Sequence, residues 1–367
     1  ELSVVLKTKR RKMLQEKNFV EEHIRELQKI SGCDPALLER AVYAFGLLET
    51  LARVGLPFIF KGGTCLMLLM EKPRRLSTDI DIIVEPGIDI DNYLELASKI
   101  FPFENVDEQI RVGKNKIVKR HFKFVYNSPI NNKPFYILLD VLYEHNHYSE
   151  IISKEIKNDL LLTEAEYIKV NLPSANCMLG DKLTAFAPHT IGIPLNIGKD
   201  KEVMKQFYDV ASLIDFITDF KTVSSTYKKI ALTEIEYRGL EINERDCLWD
   251  TFKAALCIAS RGKIYKEEYV VYVKGISDVS DHIYAENFTG ETAVVKAAKI
   301  MYLVSCLLTN TEYQKVIDYS YFINRKLNQE KLMIFYKLRK SAPETYAYII
   351  KTDELLSNSN ISLNNII

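Results

Sequence analysis

Apolar and polar positions follow two rhythms along the chain, a period of two in its middle and a helical period after residue 215. Short apolar runs bounded by turn residues predict strands over residues 57–61, 79–84, 120–126, 135–143 and 168–172. Helical spacing predicts helices over 18–30, 35–54, 64–70, 92–100 and 177–186, the second capped by Asp34 ahead of Pro35. Asn127-Ser-Pro and Asn131-Asn-Lys-Pro mark the turn of a hairpin between the 120–126 and 135–143 strands. Residues 188–199, with two prolines and two glycines, read as a loop free to cover a ligand. From Phe216 onward glycine and proline become scarce, and stretches such as 291–308 and 313–323 keep helical spacing. The pattern therefore predicts an α+β chain: a mixed sheet with flanking helices in residues 1–215, then a helical bundle in 216–367.

Candidate chemistry concentrates in the first of these parts. Phe58-Ile-Phe-Lys-Gly-Gly-Thr runs straight into an apolar segment, so Gly62 and Gly63 form a turn in which backbone N–H groups can approach an anion. Thr64 is placed to cap the helix that follows. Shortly after comes Arg75-Leu-Ser-Thr-Asp-Ile-Asp-Ile-Ile-Val84. On a strand, Asp79 and Asp81 share one face while Ile80 and Ile82 take the other. Two adjacent carboxylates repel unless a cation joins them, and magnesium, which takes oxygen ligands and substrate phosphates together, suits the pair. A third carboxylate, Asp140, sits inside Phe135-Tyr-Ile-Leu-Leu-Asp-Val-Leu-Tyr143 and reads as a buried strand residue in need of a partner. A metal shared with Asp79 and Asp81 is one such partner, and a Lys or Arg is the structural alternative. Haloacid-dehalogenase-type phosphatases and nucleotide-sugar glycosyltransferases also use Asp-x-Asp, but there the apolar strand precedes the pair, whereas here it follows.

These residues resemble the polymerase-β-like nucleotidyltransferases, and within them the AbiEii family of abortive-infection toxins. Lys61-Gly-Gly-Thr, Arg75-x-Ser-x-Asp-x-Asp81 and Asp140 carry the first part of the likeness. Gly180-Asp-Lys-Leu-Thr-Ala-Phe resembles the family's second motif, with Lys182 in the place of its lysine, and Lys205-Gln-Phe-Tyr-Asp resembles its Arg-Asp-x-Tyr-Asp segment, with Asp209 on the late aspartate. Lys205-Gln206 departs from the family's Arg-Asp. The likeness spans roughly residues 58–213 and implies a nucleotidyltransferase fold. It implies transfer from a nucleoside triphosphate to an RNA acceptor such as the 3′ end of a tRNA, by an enzyme whose Mg2+ (or Mn2+) ions are held by Asp79, Asp81 and Asp140. Lys61, Gly62, Gly63, Thr64, Arg75, Ser77 and Lys182 would contact the nucleotide, and Asp209 would orient Lys182 or act on the acceptor. It also implies a phage-defence role with a cognate antitoxin protein as partner. A small-molecule or protein hydroxyl as acceptor, and a non-catalytic binding protein of the same fold, are the competing functions.

Composition narrows little further. With 49 basic and 49 acidic residues there is no global attraction to nucleic acid, although a local basic stripe such as Lys7-Thr-Lys-Arg-Arg-Lys12 can supply one. Apolar residues make up 47% of the 367, enough for a sizeable core. The six cysteines lack metal-type spacing and read as reduced residues of a cytoplasmic protein; His145-Asn-His147 has neither Cys nor a further His beside it to complete a zinc set. No apolar stretch reads as a membrane span.

Overall fold

The computed structural model describes residues 14–70, 72–109, 119–164, 167–284 and 286–367, so the basic run at residues 7–12 lies outside the described residues. These form two compact units, one running to Ser174 and joined by Asp281–Glu286, the other comprising Ala175–Ser280 and Asn287–Ile367. Composition drew its line near residue 215; compactness groups residues 175–215 with the bundle.

In the first unit, helices α1 (Glu21–Ser31) and α2 (Pro35–Arg53) precede the sheet. Asp34 caps α2, its carboxylate accepting from the Leu37 amide at 3.0 Å, with Pro35 in the first helical position. Strand β1 (Ile59–Lys61) leads into helix α3 (Gly62–Leu69), followed by β2 (Ile80–Val84), α4 (Asp91–Ser98), β3 (Asn105–Gln109), β4 (Lys119–Asn127) and β5 (Pro134–Tyr143). Among the described residues these strands make a five-stranded mixed sheet ordered β1-β2-β5-β4-β3, in which only β2 and β5 pair in parallel. Its period-two pattern buries Phe60, Ile82, Phe122, Phe124, Leu139 and Val141. Glu39 of α2, 2% exposed, is held by two β4-side hydroxyls, Tyr126 and Ser128, each donating at 2.8 Å. A separate antiparallel pair, β6 (Ile151–Glu155) and β7 (Lys169–Pro173), completes the unit. Strands β3 and β6 were not predicted, because Asn105-Val-Asp-Glu-Gln109 lies exposed at the sheet edge and β6 has one partner, so neither needs an alternating apolar face.

The second unit is helical: α5 (Ala175–Ala185), α6 (Asp200–Ile214), α7 (Phe220–Arg238), α8 (Glu244–Ala259), α9 (Lys266–Ser280), α10 (Gly290–Thr309), the short α11 (Leu338–Ser341) and α12 (Pro343–Asn358). Helix α10 packs against α6, α8 and α12. By length and a mean hydropathy of 1.5 it could cross a membrane, contrary to the sequence reading, yet 72% of that stretch is buried inside this unit, as befits a core helix. Residues 313–323 depart from the predicted helix. They are irregular apart from a 3-10 turn at Ser320–Phe322, since the Asp318 carboxylate takes the Ser320 amide at 2.9 Å and its hydroxyl at 2.6 Å, and Ile317 is 86% exposed. The 188–199 loop is pinned where it begins. The buried Asp250 carboxylate accepts from the His189 amide and the Thr190 hydroxyl, both at 2.8 Å, and meets His189 Nδ1 at 2.8 Å.

Candidate active site

The strand registers place four charged or polar side chains in one row. Lys61 on β1 pairs with Asp81 on β2, Asp81 with Asp140 on β5, and Asp140 with His121 on β4. Partners across a ladder project to the same face, and all four line one cavity of about 190 Å3. Asp140 is not the buried strand residue its apolar neighbours suggested: its side chain is 39% exposed, and its carboxylate meets His121 Nδ1 at 2.6 Å. The strand alternation explains this, since Leu139 and Val141 take the buried face and leave Asp140 on the open one. Asp140 has therefore found its protein partner in an imidazole, not in a Lys or Arg.

Asp79 stands at the entrance of β2, its side chain 45% exposed, with Arg40 of α2 at 3.4 Å. Ile80 and Ile82 are fully buried while Asp79 and Asp81 are partly exposed, so the alternation read from sequence is present. Thr64 serves differently from the expected cap. Helix α3 begins at Gly62, and the buried Thr64 hydroxyl donates to the Asp79 carbonyl at 2.5 Å, tying the helix to the carboxylate strand.

The two glycines are required by space. Gly62 has φ +81°, a left-handed conformation, and a Cβ there would lie 1.9 Å from Asp81 Oδ2. At Gly63 a Cβ would come within 2.6 Å of Ser77 Oγ and 2.8 Å of Arg75 Nη2. The glycine turn and the Arg-x-Ser-x-Asp-x-Asp segment are thus packed atom against atom. Arg75 is 6% exposed and also donates to the Leu76 carbonyl at 3.2 Å, so its guanidinium braces the turn from inside the fold.

In the second unit, Lys182 of α5 and Asp209 of α6 form an ion pair at 3.1 Å, their side chains 10% and 3% exposed. Gln206, one helical turn before Asp209, accepts from the same ammonium at 3.0 Å. The departure at Lys205-Gln206 therefore places a neutral acceptor on Lys182.

Sequence reasoning missed three residues. His121 has a signal in retrospect, because a hairpin register closing at Asn127 and Pro134 carries His121 opposite Asp140. Gln206 is legible from its spacing to Asp209. Arg40 has no local signal, since only the packing of α2 brings it to Asp79.

Open oxygen donors on neighbouring strands, beside a glycine turn that starts a helix, suit a divalent cation and a phosphate group together. Residues 47–271 match the family described as nucleotidyl transferase AbiEii toxin of the type IV toxin–antitoxin systems, and the chain belongs to this family. Among solved structures it is similar to JHP933 from Helicobacter pylori, with 12% identity over 74% of this chain and 93% of that one and a TM-score of 0.41. A putative nucleotidyltransferase from H. pylori is similar at 13% identity over 75% and 99% of the two chains, with a TM-score of 0.44. An antigenic nucleotidyltransferase-like protein from Paracoccidioides brasiliensis shares 16% identity over 55% and 89%, with a TM-score of 0.36. No curated protein matches significantly.

Among the described residues no group of three or more His, Cys, Asp or Glu side chains is gathered as a self-sufficient metal cage. The donor chemistry fits a magnesium-type ion nonetheless. Such ions are commonly held by one or two carboxylates with substrate phosphates and water completing the shell, and Asp81 and Asp140 are adjacent in register on an open face.

Proposed function

We propose that this protein transfers a nucleotide from a nucleoside triphosphate to a hydroxyl of an RNA acceptor, the 3′ end of tRNA being the one to test first, as a cytoplasmic toxin neutralised by an antitoxin protein and serving in phage defence. The observation that carries the reading is the Lys61-Asp81-Asp140-His121 row opening onto one cavity, with Gly62 seated against Asp81.

Asp79, Asp81 and Asp140 would hold Mg2+ or Mn2+, which when bound supplies charge neutralisation at the phosphates and lowers the pKa of the attacking hydroxyl. The chain's own residues set the stage for an in-line displacement at the α-phosphate with pyrophosphate leaving. Gly62, Gly63 and Thr64 form the helix start that receives phosphate oxygens, with Ser77 beside Gly63. Lys61 brings a cation to the same cavity as the carboxylates. His121 fixes the orientation of Asp140 through their short contact. On the second unit, Asp209 and Gln206 fix the ammonium of Lys182, which this reading assigns to phosphate binding.

The test is incubation of the purified protein with total tRNA, magnesium and each labelled nucleoside triphosphate in turn, with Asp81→Ala alongside. Label on RNA from the intact protein alone supports the reading and names the nucleotide. No label with any nucleotide removes tRNA as acceptor and turns the search to small-molecule or protein hydroxyls.

A further inference from the structure

Two stretches of the second unit carry basic residues and no acid. Residues 259–266 read Ala-Ser-Arg-Gly-Lys-Ile-Tyr-Lys, and residues 331–343 contain Lys331, Lys337, Arg339 and Lys340. They are far apart in sequence, and the fold wraps both around a single cavity of about 510 Å3. Arg261, Lys263 and Lys337 all line it, above apolar residues that include Val294, Phe335 and Leu338.

Convergence of like charges is unfavourable unless something anionic relieves it. Lys263 and Lys337 are close enough that the neighbouring ammonium, reinforced by Arg261, holds the Lys263 pKa below its ordinary value. The one acid among the described residues of the lining, Glu291, lies 3.5 Å from Arg261 with its side chain 83% exposed, which leaves the two lysines to each other. The start of α12, which has no side-chain cap, contributes Ala342 and Thr345 to the same wall and adds partial positive charge. A cation rim over an apolar floor, at a volume typical of ligand sites, matches a ligand with a phosphate at one end and a flat, weakly polar body at the other.

We propose that this cavity is a second nucleotide-phosphate site, in which Arg261, Lys263 and Lys337 hold phosphate oxygens and the apolar floor receives a base. The ligand is either a unit of an RNA chain or a free nucleotide. Exposure of all three cations favours the chain, whose successive phosphates can continue past the rim towards Arg339 and Lys340. The site does not depend on the transferase reading, since its residues are separate from the carboxylate row.

The test is amine acetylation of the full-length protein in chelator, read residue by residue by mass spectrometry. Probes are a short single-stranded RNA and, separately, each nucleoside triphosphate, with Lys228, an exposed lysine outside this lining, as internal reference. Slowing of Lys263 and Lys337 modification by roughly tenfold with RNA, fading as salt is raised, is the expected result. Slowing by RNA alone identifies a chain site; slowing by free nucleotide as well identifies a site for the single unit. Unchanged rates at both lysines with every probe overturn the proposal. Asp81→Ala serves as the second arm: loss of RNA labelling with retained protection separates the two sites, whereas loss of protection in that variant shows that the lysines report catalytic-site binding and overturns a second site.

Discussion

The carboxylate row of the first unit and the Lys182–Asp209 pair of the second hold charge in opposite ways. In the row, Asp79 and Asp140 keep 45% and 39% of their side chains in contact with solvent, and like charges sit in register on neighbouring strands. In the pair, ammonium and carboxylate are almost wholly buried and answer each other directly, with the Gln206 side-chain oxygen accepting a further hydrogen bond from the ammonium. Solvent, together with Arg40 beside Asp79, His121 beside Asp140 and Lys61 in register with Asp81, makes the first arrangement tolerable and leaves it open to an incoming cation or phosphate. The second holds its cation in a fixed place through Asp209 and Gln206, and removing Asp209 leaves the Lys182 ammonium without its counter-charge in a poor dielectric.

The sharpest break in that comparison is Asp81→Ala. It should lower nucleotide transfer on the order of 10³-fold while changing thermal stability little without added metal, because Asp81 sits between the carboxylate of Asp140 and the ammonium-bearing Lys61 in the same row; a metal-dependent rate near wild type would contradict the assignment of Asp81. Asp209→Ala should do the reverse in stability, costing about 3–5 kcal/mol by stranding Lys182, measurable as a lower denaturation midpoint in urea. A double Asp209→Ala, Lys182→Met variant should recover much of that loss, and no recovery would show that the pair is not what Asp209 stabilises.

Gly62→Ala comes next. Its methyl group would fall on the Asp81 carboxylate in a left-handed backbone, so about 1–3 kcal/mol of stability should go together with most of the transfer activity, whereas alanine at the open Gly87 should spare activity. The smallest effect is expected at His189, whose hydrogen bond to Asp250 raises its pKa above 6.5. A raised pKa stabilises the fold fully at pH below the unfolded value, and the gain disappears as pH climbs through the folded value. With 47% of the side chain exposed, solvent screening should hold it under about 1 kcal/mol. Denaturation midpoints measured between pH 5 and 8 should fall less steeply in His189→Ala than in wild type, and identical slopes would remove the imidazolium from the account.

Strands with a buried face were legible because alternation is forced on them: Ile80 and Ile82 must be apolar if Asp79 and Asp81 are to face outward. The polar edge strand Asn105–Gln109 was not, since an edge facing solvent imposes no pattern. Helix starts were legible at Asp34-Pro35, where cap and proline coincide, and misread at Thr64, where the hydroxyl found a carbonyl on another element. The 313–323 segment kept helical spacing but yielded to local bonds from Asp318, a competition that periodicity does not register.

The sequence by itself determined the α+β class, the family motifs and the residues able to handle phosphate and metal, because these depend on residue type and short-range spacing. Tertiary structure alone decided that Arg40 meets Asp79, that His121 meets Asp140, that Gly62 has no room for a side chain, and that two distant basic stretches share one cavity. Each of those is a contact between residues whose partner is set by how elements pack, and packing energy is spread over many side chains, so no short stretch of chain records it.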